Sequence, residues 1–406
     1  MGGKAIVSGG TMALNAPENM SISRAVVAPM VILTFQFFVL TAFSLMGGSI
    51  GQVIQIGSKL MVGLVFVYAF PVIWRNNGSK LFGTYLLASI VFLFHYLVFP
   101  ANRIYMNEIL FPLFFMCLPS FVYSSTIDNW AILKEVMEKA ALCVFMMGLV
   151  LTILVFSGRV PFGAYSMAFS YYMLLPAIIY TNRAFECASF RNLLFAFIAS
   201  FIVLALGARG PLMCLAIFAL LKLVKPEKAP TPRGVIGYLF LLMIGFFSIL
   251  FFEEILLSLS SFLSKFGIRS RSIALLLRPD IHLSGRDSLF RVVVEELMKS
   301  PIIGLGLAGD RLLIGGYVHN FFLEVLSHFG VIVGLIVLII FSFRCLWGLL
   351  RAKQLNYELL IIWFSMGFMP LMVSSSYLIS LNFWVFLGLL LGLPSKSPLE
   401  EVLCEQ

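Results

Sequence analysis

An all-α polytopic membrane protein, with about 12 transmembrane helices and one large extramembrane loop, is what this sequence predicts. Of 406 residues, 61% are hydrophobic and 12% charged, and the mean hydropathy is +1.02. A soluble domain carries about 25% charged residues to cover its surface. Apolar stretches long enough to cross a bilayer, about 17–25 residues, recur between short polar breaks. WRNNGSK, TIDNWAILKEVMEK, TNRAFECASFR and KPEKAPTPR are such breaks. The expected spans are 25–46, 53–74, 81–99, 108–124, 140–157, 164–181, 192–207, 211–225, 234–252, 318–342, 357–374 and 376–393. The pair around Gly207–Pro211 reads either as two spans or as one broken helix.

The ends and the cysteines narrow the class. Residues 1–24 lack the apolar core and small-residue cleavage site of a signal peptide and read as a tail. None of the six cysteines falls in the long loop and no C-x-x-C occurs, which disfavours a disulfide framework and a zinc site. No nucleic-acid partner is expected of so apolar a chain. The lipid bilayer is the first partner.

Orientation follows from the 28 basic residues. With the N-terminus cytoplasmic, sixteen lie on cytoplasmic segments, four on short outer segments and eight in the loop 253–317. Both tails, 1–24 and 394–406, are therefore expected inside. The loop between spans one to nine (25–252) and spans ten to twelve (318–393) is expected outside. A connection of that length usually carries function. Its eight cations, among them Arg278, Arg286, Arg291 and Arg311, sit where topology disfavours positive charge. An anionic ligand at the outer face would account for them; a solvated loop of mixed charge is the plain alternative.

Within the loop, SGRDSLFRVVVEELMKSP predicts an amphipathic helix from Ser284 to Pro301, striped by Leu289, Val293 and Leu297. Ser284 and Asp287 resemble a cap, and Pro301 ends the run. Arg291 lies four residues from both Asp287 and Glu295, so intrahelical ion pairs can account for it. Arg286 has no acid at helical spacing and stands at the helix N-terminus, which favours an anion. GLGLAG, Gly304 to Gly309, matches a dinucleotide-binding pattern but follows no strand, and predicts tight turns instead.

The stretch GGYVHNFFLEVLSHFG then opens the tenth span with polar groups, which are expensive near a membrane. Read as one helix, Asn320, Glu324 and His328 form a stripe, and Glu324 and His328 can satisfy each other, giving His328 a packing role. His319 points about 100° away from that stripe, beside the basic loop. Its plain reading is an interfacial histidine. Arg209, in LALGARGPLM, stands at the outer end of span seven between small residues that leave its guanidinium open.

SGRDSLF, SPIIGLGL and YVHNFFLEVLSHFGVIVG, in that order, resemble the signature of the bacterial O-antigen polymerase/O-antigen ligase superfamily. GARGPLMCLAIF resembles an S-R-G-rich segment of an earlier span in that family, with Ala208 where serine is common. The resemblance implies a multi-pass enzyme of the bacterial inner membrane acting at the periplasmic face. It would move a glycan from undecaprenyl pyrophosphate to a sugar hydroxyl, either of another lipid-linked repeat unit (polymerase) or of lipid A-core (ligase). HNFFLEVLSHFG resembles the polymerase pattern more closely. A chain-length regulator protein is a further implied partner, and the family's basic residues and an essential histidine imply where the pyrophosphate is held.

The chemistry fits the residues on other grounds. A pyrophosphate leaves readily, so catalysis amounts to stabilising the charge that develops on it. Arg209 and Arg286 take that role, in bidentate contacts that lysine imitates poorly. His319 either removes the acceptor proton or hydrogen-bonds the pyrophosphate. Arg291, Asn320, Arg278 and Arg311 are expected to contact substrate. No D-x-D and no P-loop occur, so neither metal nor other cofactor is expected. Two other classes compete: a lipid-linked oligosaccharide transporter or flippase, disfavoured by spans almost free of charge and without visible repeats, and a structural scaffold in an envelope assembly.

Overall fold

The computed structural model describes residues 14–157, 159, 167–187, 189–206, 209–225, 252–265 and 286–393. Among these residues the chain is helical and contains no strand. Hydrocarbon offers the backbone no partners, and a helix satisfies its own N–H and C=O groups. Six helices are long and apolar enough to cross a membrane: Ala16–Ala42, Ser49–Val98, Pro100–Ser124, Trp130–Leu154, Phe321–Arg351 and Gln354–Met372. Shorter apolar helices, Phe190–Val203, Gly210–Val224 and Leu381–Gly392, accompany them. Large apolar side chains such as Tyr68, Leu87 and Ile339 stand exposed on the long helices, as lipid-facing residues must. The protein is a membrane protein.

Several expected boundaries move, each for a local reason. The first helix opens at Ala16 rather than near residue 25. Asn15 and Glu18 cap each other there: the Asn15 N–H donates to Glu18 Oε2 and the Glu18 N–H to Asn15 Oδ1, both at 2.9 Å. Within Ser49–Val98, two helices carrying the expected spans 53–74 and 81–99 meet across a kink at the non-helical Asn77 (φ −143°, ψ 33°). The segments around 207–211 are separate helices, Phe190–Leu206 and Arg209–Val224. The expected ninth span, 234–252, lies almost wholly outside the described residues, as does residue Arg278.

The chain divides into two compact units. The first comprises 1–26, 63–136 and 288–406. In it the helix Leu381–Gly392 lies tightly on the end of Pro100–Ser124, and glycines allow that approach. A Cβ on Gly388 would stand 2.0 Å from Ser124 Oγ and 2.4 Å from the Phe121 carbonyl oxygen. Phe321, Phe341, Phe368 and Phe383 interlock at centroid distances of 5.1–6.0 Å. At the same end as the Leu381–Gly392 C-terminus, Lys134 pairs with the buried Glu358 at 2.7 Å. The second unit comprises 27–62 and 137–287. Its described helices Leu174–Glu186 and Phe190–Leu206 pack as an antiparallel hairpin, with Asn192 Nδ2 donating to the Cys187 carbonyl across the turn (3.0 Å). Arg183 pairs with Glu138 there.

Close helix contact through glycine predicts asymmetric mutational effects. Gly388→Val should destabilise the protein by about 1–3 kcal/mol or more, because backbone atoms cannot give way. Gly63→Ala, in a helix with no atom within 4 Å of the added Cβ, should be neutral or stabilise by up to about 1 kcal/mol. Thermal unfolding in detergent distinguishes the two.

Candidate functional site

The segment 301–307 interlocks with the helix that follows it, Phe321–Arg351. The amphipathic helix runs from Arg286 to Lys299, with Val293 and Leu297 buried as their spacing required. After it, Gly304 and Gly306 adopt φ of 75° and 78°, a conformation open to glycine, so the chain turns tightly. The turns bring 301–305 against a break in the helix Phe321–Arg351 at Gly330 (φ 76°, ψ 171°). The break opens the bond that Val331 N–H would make to the Ser327 carbonyl. Both groups are satisfied by the loop: Val331 N–H donates to the Pro301 carbonyl, and Leu305 N–H to the Ser327 carbonyl, each at 2.7 Å. A Cβ on Gly330 would lie 2.2 Å from the Ile302 carbonyl oxygen.

The next turn is held from the helix Ser49–Val98 and its neighbour. Leu307 N–H donates to His95 Nδ1 (3.1 Å), and Asn102 Nδ2 donates to the carbonyls of Leu305 (2.8 Å) and Leu307 (3.1 Å). A short helix, Gly309–Ile314, follows, and its first residues carry the charges.

Asp310, Glu324, His328 and Ser376 are fully buried and hydrogen-bonded into one network. His328 Nε2 donates to Asp310 Oδ1 (2.9 Å), while Nδ1 meets the Tyr377 hydroxyl (2.8 Å). Asp310 Oδ2 accepts the Val318 N–H (3.0 Å). Glu324 accepts from the Ser376 hydroxyl and from the Tyr377 N–H (3.3 Å). Arg311, 7% exposed, donates through Nη2 to Ser376 Oγ (3.4 Å). Burial by itself pushes the Asp310 carboxyl up. The His328 imidazole, by charge and by hydrogen bond, the Val318 N–H and the Arg311 guanidinium together hold it below the ordinary carboxylate value.

Above this network sit Arg311, Tyr317 and His319. The Tyr317 hydroxyl donates to the Ser374 carbonyl (2.8 Å), which fixes its ring. The Arg311 guanidinium lies 5.9 Å from that ring, and the His319 imidazole packs edge-on at 4.4 Å. Arg311 Nε is buried and finds no hydrogen-bond partner among the described residues. His319 has φ 56°, a left-handed backbone that a side-chain-bearing residue holds only when its surroundings impose it, at about 1–3 kcal/mol.

These contacts correct the expected stripe. His319 and Asn320 precede the helix rather than belonging to it. Asn320 is the N-cap, its Oδ1 accepting the Leu323 N–H at 3.0 Å. Glu324 and His328 do not satisfy each other; Ser376 and Tyr377 serve the glutamate, and Asp310 and Tyr377 the histidine. Of the expected site residues, the structure brings Arg311, His319 and Asn320 together. Arg291 is exposed on the loop helix, and among the described residues no ion pair joins it to Asp287 or Glu295. Arg286 opens that helix, half-buried, and Arg209 opens the helix Arg209–Val224. Both arginines belong to the second unit. Asp310, Tyr317, Ser376 and Tyr377 were missed. The polar run SSSY between two apolar spans was the signal for the last two.

Asp310, Glu324 and His328 offer metal-ligand atoms within 4.8 Å of one another. Each of these side chains already holds protein partners, and the Arg311 guanidinium lies beside them. A cation entering there would break the His328–Asp310 hydrogen bond and meet a positive charge. The arrangement works as a hydrogen-bonded clamp on the segment 307–320.

Two outcomes follow from this clamp. His328→Ala strands the buried Asp310 carboxylate and should cost about 3–5 kcal/mol, against about 1 kcal/mol for Asn320→Ala at the cap, both read from melting in detergent. Asp310 has a depressed folded pKa, so its contribution is complete above its unfolded value of about 3.9 and fades as pH falls through the lower folded value. The melting advantage of the wild type over Asp310→Asn should therefore hold at neutral pH and shrink on acidification below about 4. No protein-family model, curated protein or solved structure matches this chain, and the reading of the site rests on the residues just described.

Proposed function

We propose that this protein is a metal-independent glycosyltransferase of the bacterial inner membrane, with twelve spans, both termini cytoplasmic and its long loop periplasmic. It transfers a glycan from undecaprenyl pyrophosphate to a sugar hydroxyl, as an O-antigen repeat-unit polymerase. The acceptor hydroxyl attacks the anomeric carbon, the bond from that carbon to the pyrophosphate oxygen breaks, and the electron pair leaves with the pyrophosphate. The hydroxyl proton passes to His319. Arg311 takes up the charge that develops on the leaving group, a role that the family resemblance also implies for Arg209 and Arg286.

The observation that carries this reading is Arg311 Nε, a buried cationic donor without a hydrogen-bond partner among the described residues, beside a histidine held in a left-handed backbone. A buried guanidinium donor left unmatched is costly unless a ligand completes it. The polar clamp beneath supports the same view, since a site must be held rigid before it can discriminate charge. The four motifs quoted above place Arg209, Arg286 and His319 in the order the family requires.

Lipopolysaccharide from a deletion strain, complemented with plasmid-borne variants, tests the proposal on gels. Arg311→Ala should lower chain extension about 10²–10³-fold, and His319→Ala about 10²–10⁴-fold, with protein levels unchanged on immunoblot. Arg311→Lys should rescue only in part, because a point charge lacks the planar fork. Core bearing a single repeat marks a polymerase and bare core marks a ligase. Normal chain lengths from His319→Ala, Arg311→Ala, Arg286→Ala and Arg209→Ala alike would overturn the enzyme reading.

A further inference from the structure

In the first unit, an open-sided groove of about 540 Å³ lies along residues 80–92 of the helix Ser49–Val98. Thr84, Leu87 and Val91 line it at helical spacing, and Phe121, Leu378 and Trp384 form the opposite side. From Lys80 to Val91 the helix rises about 16 Å. That is close to half of the roughly 30 Å hydrocarbon core, the depth of one leaflet. The groove is within the size range of ligand sites, about 300–1,000 Å³.

Its two ends differ. One end closes on Leu307, Phe329 and the ring of Tyr377, directly under the clamp described above. The other is marked by Lys80, whose Nζ donates to the Ser125 carbonyl at 3.2 Å. Among the described residues no carboxylate pairs with Lys80, whereas its neighbours Arg75 and Lys134 hold Glu18 and Glu358. Apolar walls one leaflet deep, under a lone ammonium at the rim, match a single kind of molecule. It has a hydrocarbon chain and an anionic head.

We propose that this groove binds an acyl chain of an anionic phospholipid, with the lipid phosphate on Lys80. The lipid's head would lie at the Lys80 end, opposite His319, so this occupant is distinct from the glycan donor. Its chain end would rest against Tyr377 and fill the space beneath the clamp.

The test uses the full-length protein purified in detergent. Its melting temperature is followed on adding phosphatidylglycerol, phosphatidylcholine with the same acyl chains, or undecaprenyl phosphate, and bound lipid is counted by native mass spectrometry. Phosphatidylglycerol should raise the wild-type melting temperature by several degrees more than phosphatidylcholine and stay bound in the spectrometer. Lys80→Gln should erase that difference and Lys80→Arg should keep it. Gly83→Leu, whose added Cβ meets no atom within 4 Å, should fill the groove and abolish the response while unfolding cooperatively. Equal responses to the two phospholipids, or a preference that survives Lys80→Gln, would overturn the proposal, and the lysine pair decides it even if Gly83→Leu misfolds. A larger shift with undecaprenyl phosphate would overturn it in favour of a polyprenyl carrier. None of these readouts depends on glycan transfer, so failure here leaves the proposed activity to its own test.

Discussion

Everything around the short helix Gly309–Ile314 in the first unit depends on neutralising buried charge where water is scarce. Asp310 and Glu324 are carboxylates with no exposure, and an unpaired one would be costly in a protein interior. His328, Arg311, Ser376, Tyr377 and the Val318 N–H share them. Three separate chain segments, 307–320, 324–328 and 374–378, are therefore held in register by one set of hydrogen bonds. The backbone exchange at Gly330 adds a second lock of different chemistry, since it uses main-chain groups that no side-chain substitution removes.

That rigidity is what turns a loop into a site. Loops are ordinarily the mobile part of a fold, and a mobile arginine spends its electrostatic effect on reorganising. Here Arg311 is held by Ser376 and lies beside the Tyr317 ring, and its buried Nε has no hydrogen-bond partner among the described residues. His319 is carried on the same short segment, two residues after Tyr317 and just before the cap at Asn320. The clamp and the Arg311–His319 pair are thus consecutive parts of one chain reversal.

Much of the architecture was legible because hydrophobicity reports it directly. Apolar length predicted membrane-crossing helices. The four-residue repeat of Leu289, Val293 and Leu297 predicted the loop helix, and GLGLAG predicted the turns at Gly304 and Gly306. The site was legible in part. His319 stood out as a rare histidine at an apolar boundary and Arg311 was one of eight loop cations, but the partner of His328 did not stand out. Periodicity links residues along one helix, so Glu324 was the natural choice, whereas Asp310 reaches His328 only because the glycine turns fold the loop back. The N-terminal boundary was missed although Asn15 and Glu18 spell a cap, because a polar tail drew attention to composition rather than spacing. Gly330, with apolar residues following it, was read as ordinary helix. Nothing local distinguishes it from a packing glycine until Ile302 is seen pressed against it.

The clamp also has a consequence for how the chain is made. Glu324 and His328 emerge from the ribosome well before Ser376, 52 residues after Glu324. At about 5–20 residues per second the glutamate waits roughly 3–10 seconds for its hydroxyl partner. During that interval the nascent helix carries an acid and an imidazole near its start, groups that bilayer lipid does not welcome. Release of this segment sideways into lipid is therefore coupled to synthesis of the closing hairpin, and the translocon must shelter the half-finished pair until the serine arrives.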